Sequence, residues 1–150
     1  MADRTIITKS SDETFDYGKK LGADIKKVLS SSSKGIKIGF RGTLGAGKTL
    51  MIKGLMSELC PKENTSSPSF TIVNEYYAYN RRILHSDLYR VHSMEELLGT
   101  GFLEAFNDAE SVVLVEWIDN IGEIPNDIVL IEIEPTGDNS RKITVKNWRE

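Results

Sequence analysis

Cysteine is almost missing. Cys60 is the single cysteine among 150 residues, which excludes an internal disulfide and a cysteine-based zinc site and suits a reducing compartment. Long apolar runs are missing as well. The longest aliphatic stretches, such as Val112 to Val115, are four residues, far short of the roughly 20 that cross a bilayer. The opening Met-Ala-Asp-Arg lacks the apolar core of a signal peptide, so the expectation is a cytoplasmic protein with no membrane contact. Positive charge is not in excess: Lys+Arg number 19 against 22 Asp+Glu, a formal charge of -3. That balance argues against a chain whose main task is gripping a nucleic-acid backbone.

What remains is an ordinary globular composition, 39% hydrophobic and 27% charged, which excludes disorder as the default. The length fits one domain, residues 1–150, able to bury roughly two-thirds of its unfolded surface. The charge is uneven. Residues 1–75 hold 12 Lys/Arg and 8 Asp/Glu, and residues 76–150 hold 7 and 14, so the halves carry +4 and -7. This describes either two solvated faces or an acidic surface offered to a basic partner.

Periodicity supplies the elements. Ile6-Ile7 is a short strand candidate, and Ser10 to Glu13 is a capping box, opening a helix whose buried face carries Phe15, Gly18, Leu21, Gly22, Ile25, Val28 and Leu29. Glycines on that face are costly unless another backbone or a ligand must come close. Ile36 to Phe40 reads as a strand, Thr49 to Leu59 as a helix ended by Pro61, and Phe70 to Tyr79 as a strand. A turn at Asn80-Arg81 leads to a returning strand, Ile83 to Asp87. Ser93 to Glu96 is a second capping box for a short helix to Leu98, broken by Gly99 and Gly101. Val112 to Val115 has the continuous apolar character of a strand buried on both faces. Ile128 to Glu134 and Ile143 to Val145 are further strands across a turn at Pro135 to Asp138. The order predicts an α/β fold, a mainly parallel sheet with antiparallel hairpins, flanked by helices.

The strongest chemical signal is Gly42-Thr43-Leu44-Gly45-Ala46-Gly47-Lys48-Thr49, which matches G-x-x-x-x-G-K-S/T between a strand and a helix. Glycines let successive N–H groups curl around one concavity, and the following helix aims its positive end there. Lys48 adds a full charge for the β- and γ-phosphates. Thr49 offers a hydroxyl to Mg2+, which prefers hard oxygen ligands. Such a loop needs an acidic partner for the metal at a strand end. Glu116 follows Val112 to Val115, and Asp87 follows Ile83 to Ser86, both at the ligand-bearing edge of an α/β sheet.

Other residues keep two readings. His85 either orders Asp87 or fills a half-buried strand position. Arg90 is a phosphate contact or a surface ion pair, and Trp117 packs a nucleotide, a partner or the core. Met51, Met56 and Met94 read as filler. Guanine recognition normally uses Asn-Lys-x-Asp, which is lacking, so ATP is the expected nucleotide. The Arg-rich lid of a small-molecule kinase is also lacking; Arg81-Arg82 lies in a hairpin.

The phosphate loop stands in a series with Glu13-Thr14, Ser67 to Val73, His85-Ser86-Asp87-Leu88-Tyr89-Arg90 and Val113 to Trp117. In this order, over roughly residues 5 to 145, these segments resemble the TsaE family of bacterial P-loop ATPases. The resemblance implies a P-loop NTPase-like fold and a role in making threonylcarbamoyladenosine on tRNAs that read codons starting with A. It implies an ATPase, weak alone, that binds and resets a transferase complex of two homologous subunits, TsaB- and TsaD-like, and reaches tRNA through them. It implies Mg2+ held by Thr49, Glu116 and Asp87, with catalysis by Lys48, Asp87, Glu116 and Thr71. Ser67 to Thr71 is then a switch-type loop with Thr71 on the γ-phosphate side. The nucleotide would lie on Gly42, Leu44, Gly45, Ala46, Gly47, Lys48, Thr49 and the Leu50 backbone. Ser11 would lie near the base, and the Gly137 to Arg141 turn, with Arg141, would close its other side. Leu50 stands where a second Thr is frequent, and Ser86 where Phe is common. The alternatives are a small-molecule kinase and a nucleotide-dependent switch with negligible turnover.

Overall fold

Val112 to Val115 are completely buried, and their alternation divides the interior in two. Val112 and Leu114 point into one core with Ile38, Phe40, Leu21 and Leu55. Val113 and Val115 point into the other with Leu84, Phe102 and Ile118. A strand with apolar side chains on both faces is a central strand, because each face needs a covering layer.

The computed structural model describes residues 3–43, 45–61 and 73–148. Its elements are β1 (Arg4–Thr8), α1 (Ser11–Ser31), β2 (Ile36–Arg41), α2 (Lys48–Leu59), β3 (Val73–Ala78), β4 (Arg81–Asp87), α3 (Phe102–Asn107), β5 (Val112–Glu116), β6 (Val129–Pro135) and β7 (Arg141–Lys146). The strands form one sheet in the order β1-β7-β6-β2-β5-β4-β3. The middle four, β6, β2, β5 and β4, are parallel. Strands β3, β7 and β1 add to the two sides antiparallel. The expected mainly parallel sheet with antiparallel hairpins is the one observed. Among the described residues no helix is long and apolar enough to cross a membrane.

Helices α1 and α2 pack on each other over one face of the sheet. A Cβ added to Gly18 would lie 2.1 Å from the Met51 carbonyl oxygen, and one on Gly22 would lie 2.5 Å from that of Leu55. The glycines of the first helix therefore admit a neighbouring backbone, not a ligand. Met51 and Met56 are core residues, while Met94 is exposed.

Several boundaries differ from the sequence reading for local reasons. Glu13 N–H donates to Ser10 Oγ at 3.1 Å, but the Glu13 carboxylate accepts from Lys9 N–H at 2.9 Å, so the box closes one residue earlier. The hairpin turn is Tyr79-Asn80, both at φ near +57°, as the favoured two-residue hairpin turn requires. Strand β4 thus starts at Arg81, whose guanidinium donates to the Leu29, Ser32 and Ser33 carbonyls at the end of α1. The second capping box builds only a single 3-10 turn, Met94–Leu97. Helix α3 and a 3-10 turn at Ile118–Ile121 were not in the sequence reading; both are too short to show a period.

Candidate functional site

Strand β2 hands the chain to the glycine-rich loop at Arg41. A side chain at Gly42 would meet the Ile133 carbonyl of β6 at 2.6 Å. Gly45 and Gly47 have φ of +79° and +107°, where an L side chain is strained. Ala46 N–H donates to Thr43 O at 3.0 Å, closing the turn. Gly47 is the N-cap of α2, and neither a side-chain cap nor a first-turn acid is found there. The positive end of that helix therefore faces the loop's concavity.

Lys48 is 4% exposed. Its ammonium donates to the Gly42 and Thr43 carbonyls at 2.7 and 2.8 Å and lies 4.2 Å from the centre of the Trp117 ring. Burial pulls its pKa below the usual lysine value, against the charges of Glu116, Asp119 and Asp87. Trp117 has φ of +59°, an uncommon conformation for a bulky residue. Its ring packs on Tyr89 at 4.9 Å. Asn120 Nδ2 donates to the Leu88 carbonyl at 2.7 Å, tying the segment after β5 to the segment after β4.

The two strand-end acids meet as neighbours. Asp87 of β4 pairs with Glu116 of β5 in parallel register. Glu116 is 2% exposed. One of its oxygens accepts from the Thr49 hydroxyl at 2.8 Å, and the other contacts His85 Nε2 at 2.7 Å. Asp87 is half-buried and accepts Tyr89 N–H at 3.0 Å. Burial raises its pKa above the usual carboxylate value, partly offset by that N–H and reinforced by Glu116. Thr49, Asp87, Tyr89 and Glu116 line a cavity of about 350 Å³.

Most sequence candidates gather here: Gly45, Ala46, Gly47, Lys48, Thr49, Leu50, Asp87, Glu116 and Arg141 all border the cavity. Gly42 lies just behind it, holding Lys48. Arg141 reaches from β7 and donates to the Ala46 and Gly45 carbonyls at 2.7 and 3.3 Å. Ser11, the exposed first residue of α1, is not among the residues that border the cavity. Leu44, Thr71 and the Ser67 to Thr71 loop lie outside the described residues. His85 departs from both readings: it is buried, not half-buried, and its partner is Glu116, not Asp87. Arg90 is exposed. The sequence reading missed Asn120, and it quoted Tyr89 within the His85 to Arg90 motif without giving it a role of its own.

The donor set suits one class of metal. Among the described residues no three His, Cys, Asp or Glu converge on one point. What converges is a hydroxyl and two carboxylates beside a phosphate cradle. Mg2+ is bound in this way, by one or two carboxylates with phosphate and water completing its shell.

Comparisons with known proteins agree with this geometry. Residues 8–143 match the family model described as threonylcarbamoyl adenosine biosynthesis protein TsaE. The tRNA threonylcarbamoyladenosine biosynthesis protein TsaE of Aquifex aeolicus is 36% identical over 146 residues, 95% of each chain. That of Bacillus subtilis is 36% identical over 122 residues, 80% of this chain and 75% of its own. The crystal structure of Bacillus subtilis YdiB superposes with a TM-score of 0.70 at 30% identity, covering 96% of this chain and 84% of that one. With a phosphate cradle, a paired strand-end acid and a family match spanning nearly all of its length, the chain belongs to the TsaE family.

Proposed function

We propose that residues 1–150 form a single P-loop ATPase domain that acts in the cytoplasm in tRNA threonylcarbamoyladenosine biosynthesis. It binds and hydrolyses Mg-ATP, weakly alone and faster with its partners. The partners are the two homologous subunits of a threonylcarbamoyl-transferase complex, and hydrolysis resets that complex between turnovers. The observation that carries this reading is the Thr49–Glu116 hydrogen bond of 2.8 Å in front of the cradle. A hydroxyl and a carboxylate beside the loop are the kind of donors with which P-loop proteins hold their metal, and this supports the reading.

Each residue has a separable task. Lys48 exchanges the Gly42 and Thr43 carbonyls for phosphate oxygens, a stronger charge-assisted bond. The α2 terminus and the Gly45 to Leu50 backbone N–H groups hold the same phosphates. Thr49 and Glu116 would hold Mg2+, with Asp87 binding directly or through water; when bound, the ion neutralises phosphate charge. Thr71 is assigned to the γ-phosphate side and Ser11 to the base side. Arg141 holds the loop through the Ala46 and Gly45 carbonyls and is assigned to the other side of the base.

The test is an ATPase assay with and without the two partner subunits, followed by nucleoside analysis of the tRNA. Turnover stimulated by the partners, with threonylcarbamoyladenosine lost when Lys48 is removed, supports the reading. Partner-independent turnover that phosphorylates a small hydroxyl compound would identify a kinase instead. Tight nucleotide binding without turnover under any condition would identify a switch.

A further inference from the structure

The buried face of β4 holds a group to which the reading above gives no task. His85 is 1% exposed. It stands opposite Leu114 in the parallel register with β5. Side chains alternate along a strand, so Glu116, two residues beyond Leu114, lies on the same face as His85. The outcome is a buried chain of three side chains. His85 Nε2 lies 2.7 Å from one Glu116 oxygen, and the other oxygen takes the Thr49 hydroxyl at 2.8 Å.

We propose that His85 is the positioning residue for the metal-site carboxylate: it locks one oxygen of Glu116 so that the other is presented to Thr49 and the cavity. The assignment rests on reading Thr49 and Glu116 as the metal site. Two observations carry it. His85 Nδ1 is buried and has no hydrogen-bond partner among the described residues. A proton there would be an orphaned buried donor, so the proton belongs on Nε2, from which it donates to Glu116. Secondly, Glu116 is a glutamate in a position where an aspartate would need less fixing. Its extra rotatable bond must be immobilised before its oxygen has a defined place, and one buried donor does this. Thr49 alone cannot, because it holds the oxygen that the metal needs.

A space-filling histidine would give the same burial, so the test separates volume from donation. Binding of a non-hydrolysable ATP analogue is measured without Mg2+ and across an Mg2+ titration, for the wild type, His85→Leu, His85→Gln and His85→Asn. The Gln amide nitrogen falls near the place of Nε2, while that of Asn falls one bond short. In His85→Leu and His85→Asn the Mg2+ concentration giving half the effect rises by about 10–100-fold, with Mg-free affinity unchanged within about threefold. In His85→Gln it stays near the wild-type value. A wild-type titration by His85→Leu, or equal losses in His85→Gln and His85→Asn, overturns the assignment. If His85→Leu does not fold, the Gln–Asn pair alone decides. A wild type whose nucleotide binding ignores Mg2+ would overturn the metal-site reading itself and the positioning role with it, a failure distinct from the former two.

Discussion

The ammonium of Lys48 lies 4.2 Å from the centre of the Trp117 ring while also donating to two loop carbonyls. A phosphate in the cradle competes for that ammonium, so the indole loses or reorients its cation when nucleotide binds. Trp117 emission is expected to change on ATP addition in a Trp148→Phe background, which removes the distant second tryptophan. Emission that is indifferent to saturating ATP would show that the ring does not sense the site.

Lys48→Ala removes the buried ammonium of the loop. One or two charge-assisted hydrogen bonds of roughly 1.5–3 kcal/mol each are lost, so ATP affinity should fall by at least about 10-fold. Isothermal titration calorimetry measures this directly. Unchanged affinity would mean the nucleotide lies elsewhere.

Glu116→Gln keeps the shape and an acceptor for Thr49 but loses the negative charge. Metal-dependent hydrolysis should fall by about 100-fold or more, with Mg-free nucleotide affinity changed by less than about threefold. Asp87→Asn should follow the same pattern, less steeply. If both variants hydrolyse ATP normally, the metal assignment is wrong.

Gly18→Ala tests the helix contact. Alanine favours a helix by about 1 kcal/mol over glycine, yet its methyl would lie 2.1 Å from the Met51 carbonyl oxygen. Overpacking costs about 1–3 kcal/mol and outweighs that gain, because the methyl meets backbone that cannot yield; the net loss, up to about 2 kcal/mol, is read as a lower melting temperature. A variant that melts at or above the wild type would refute the packing argument.

Glu132 on β6 joins Lys146 at 2.6 Å and Arg41, and these partners hold its pKa below the usual glutamate value, the Lys146 bond first. A depressed folded pKa means stability that is present above the unfolded pKa and lost as pH falls through the folded one. Glu132→Gln should therefore lower stability by about 0.5–1 kcal/mol at neutral pH. The difference should vanish in acid, below both pKa values. A gap between the two melting curves that persists at low pH would contradict this.

The phosphate loop, both strand-end acids and the parallel sheet were legible in the chain because each has a local cause. Glycine spacing, a four-residue apolar run and an acid directly after it do not depend on distant partners. What was not legible depends on register. His85 was read against Asp87, its neighbour in sequence, but the β4–β5 register brings Glu116, two residues beyond its partner Leu114, within reach, and no pattern within either segment states that register. Tyr89 is held at the site by contacts from distant segments, Trp117 against its ring and Asn120 on the Leu88 carbonyl before it. Helix α3, at six residues, is shorter than two turns and has no period to detect.

Arg141 has a consequence for how portable the phosphate loop is. A peptide unit points its C=O and the next N–H in opposite directions. By taking the Ala46 carbonyl at 2.7 Å, Arg141 fixes the plane of the Ala46–Gly47 peptide and with it the direction of the Gly47 N–H. The donor array is thus shaped by a strand that arrives 95 residues later in the chain. A fragment ending before β7 keeps every letter of the motif and loses the hand that orients it. The loop is a property of the completed sheet, not a cassette that works wherever its eight residues are grafted.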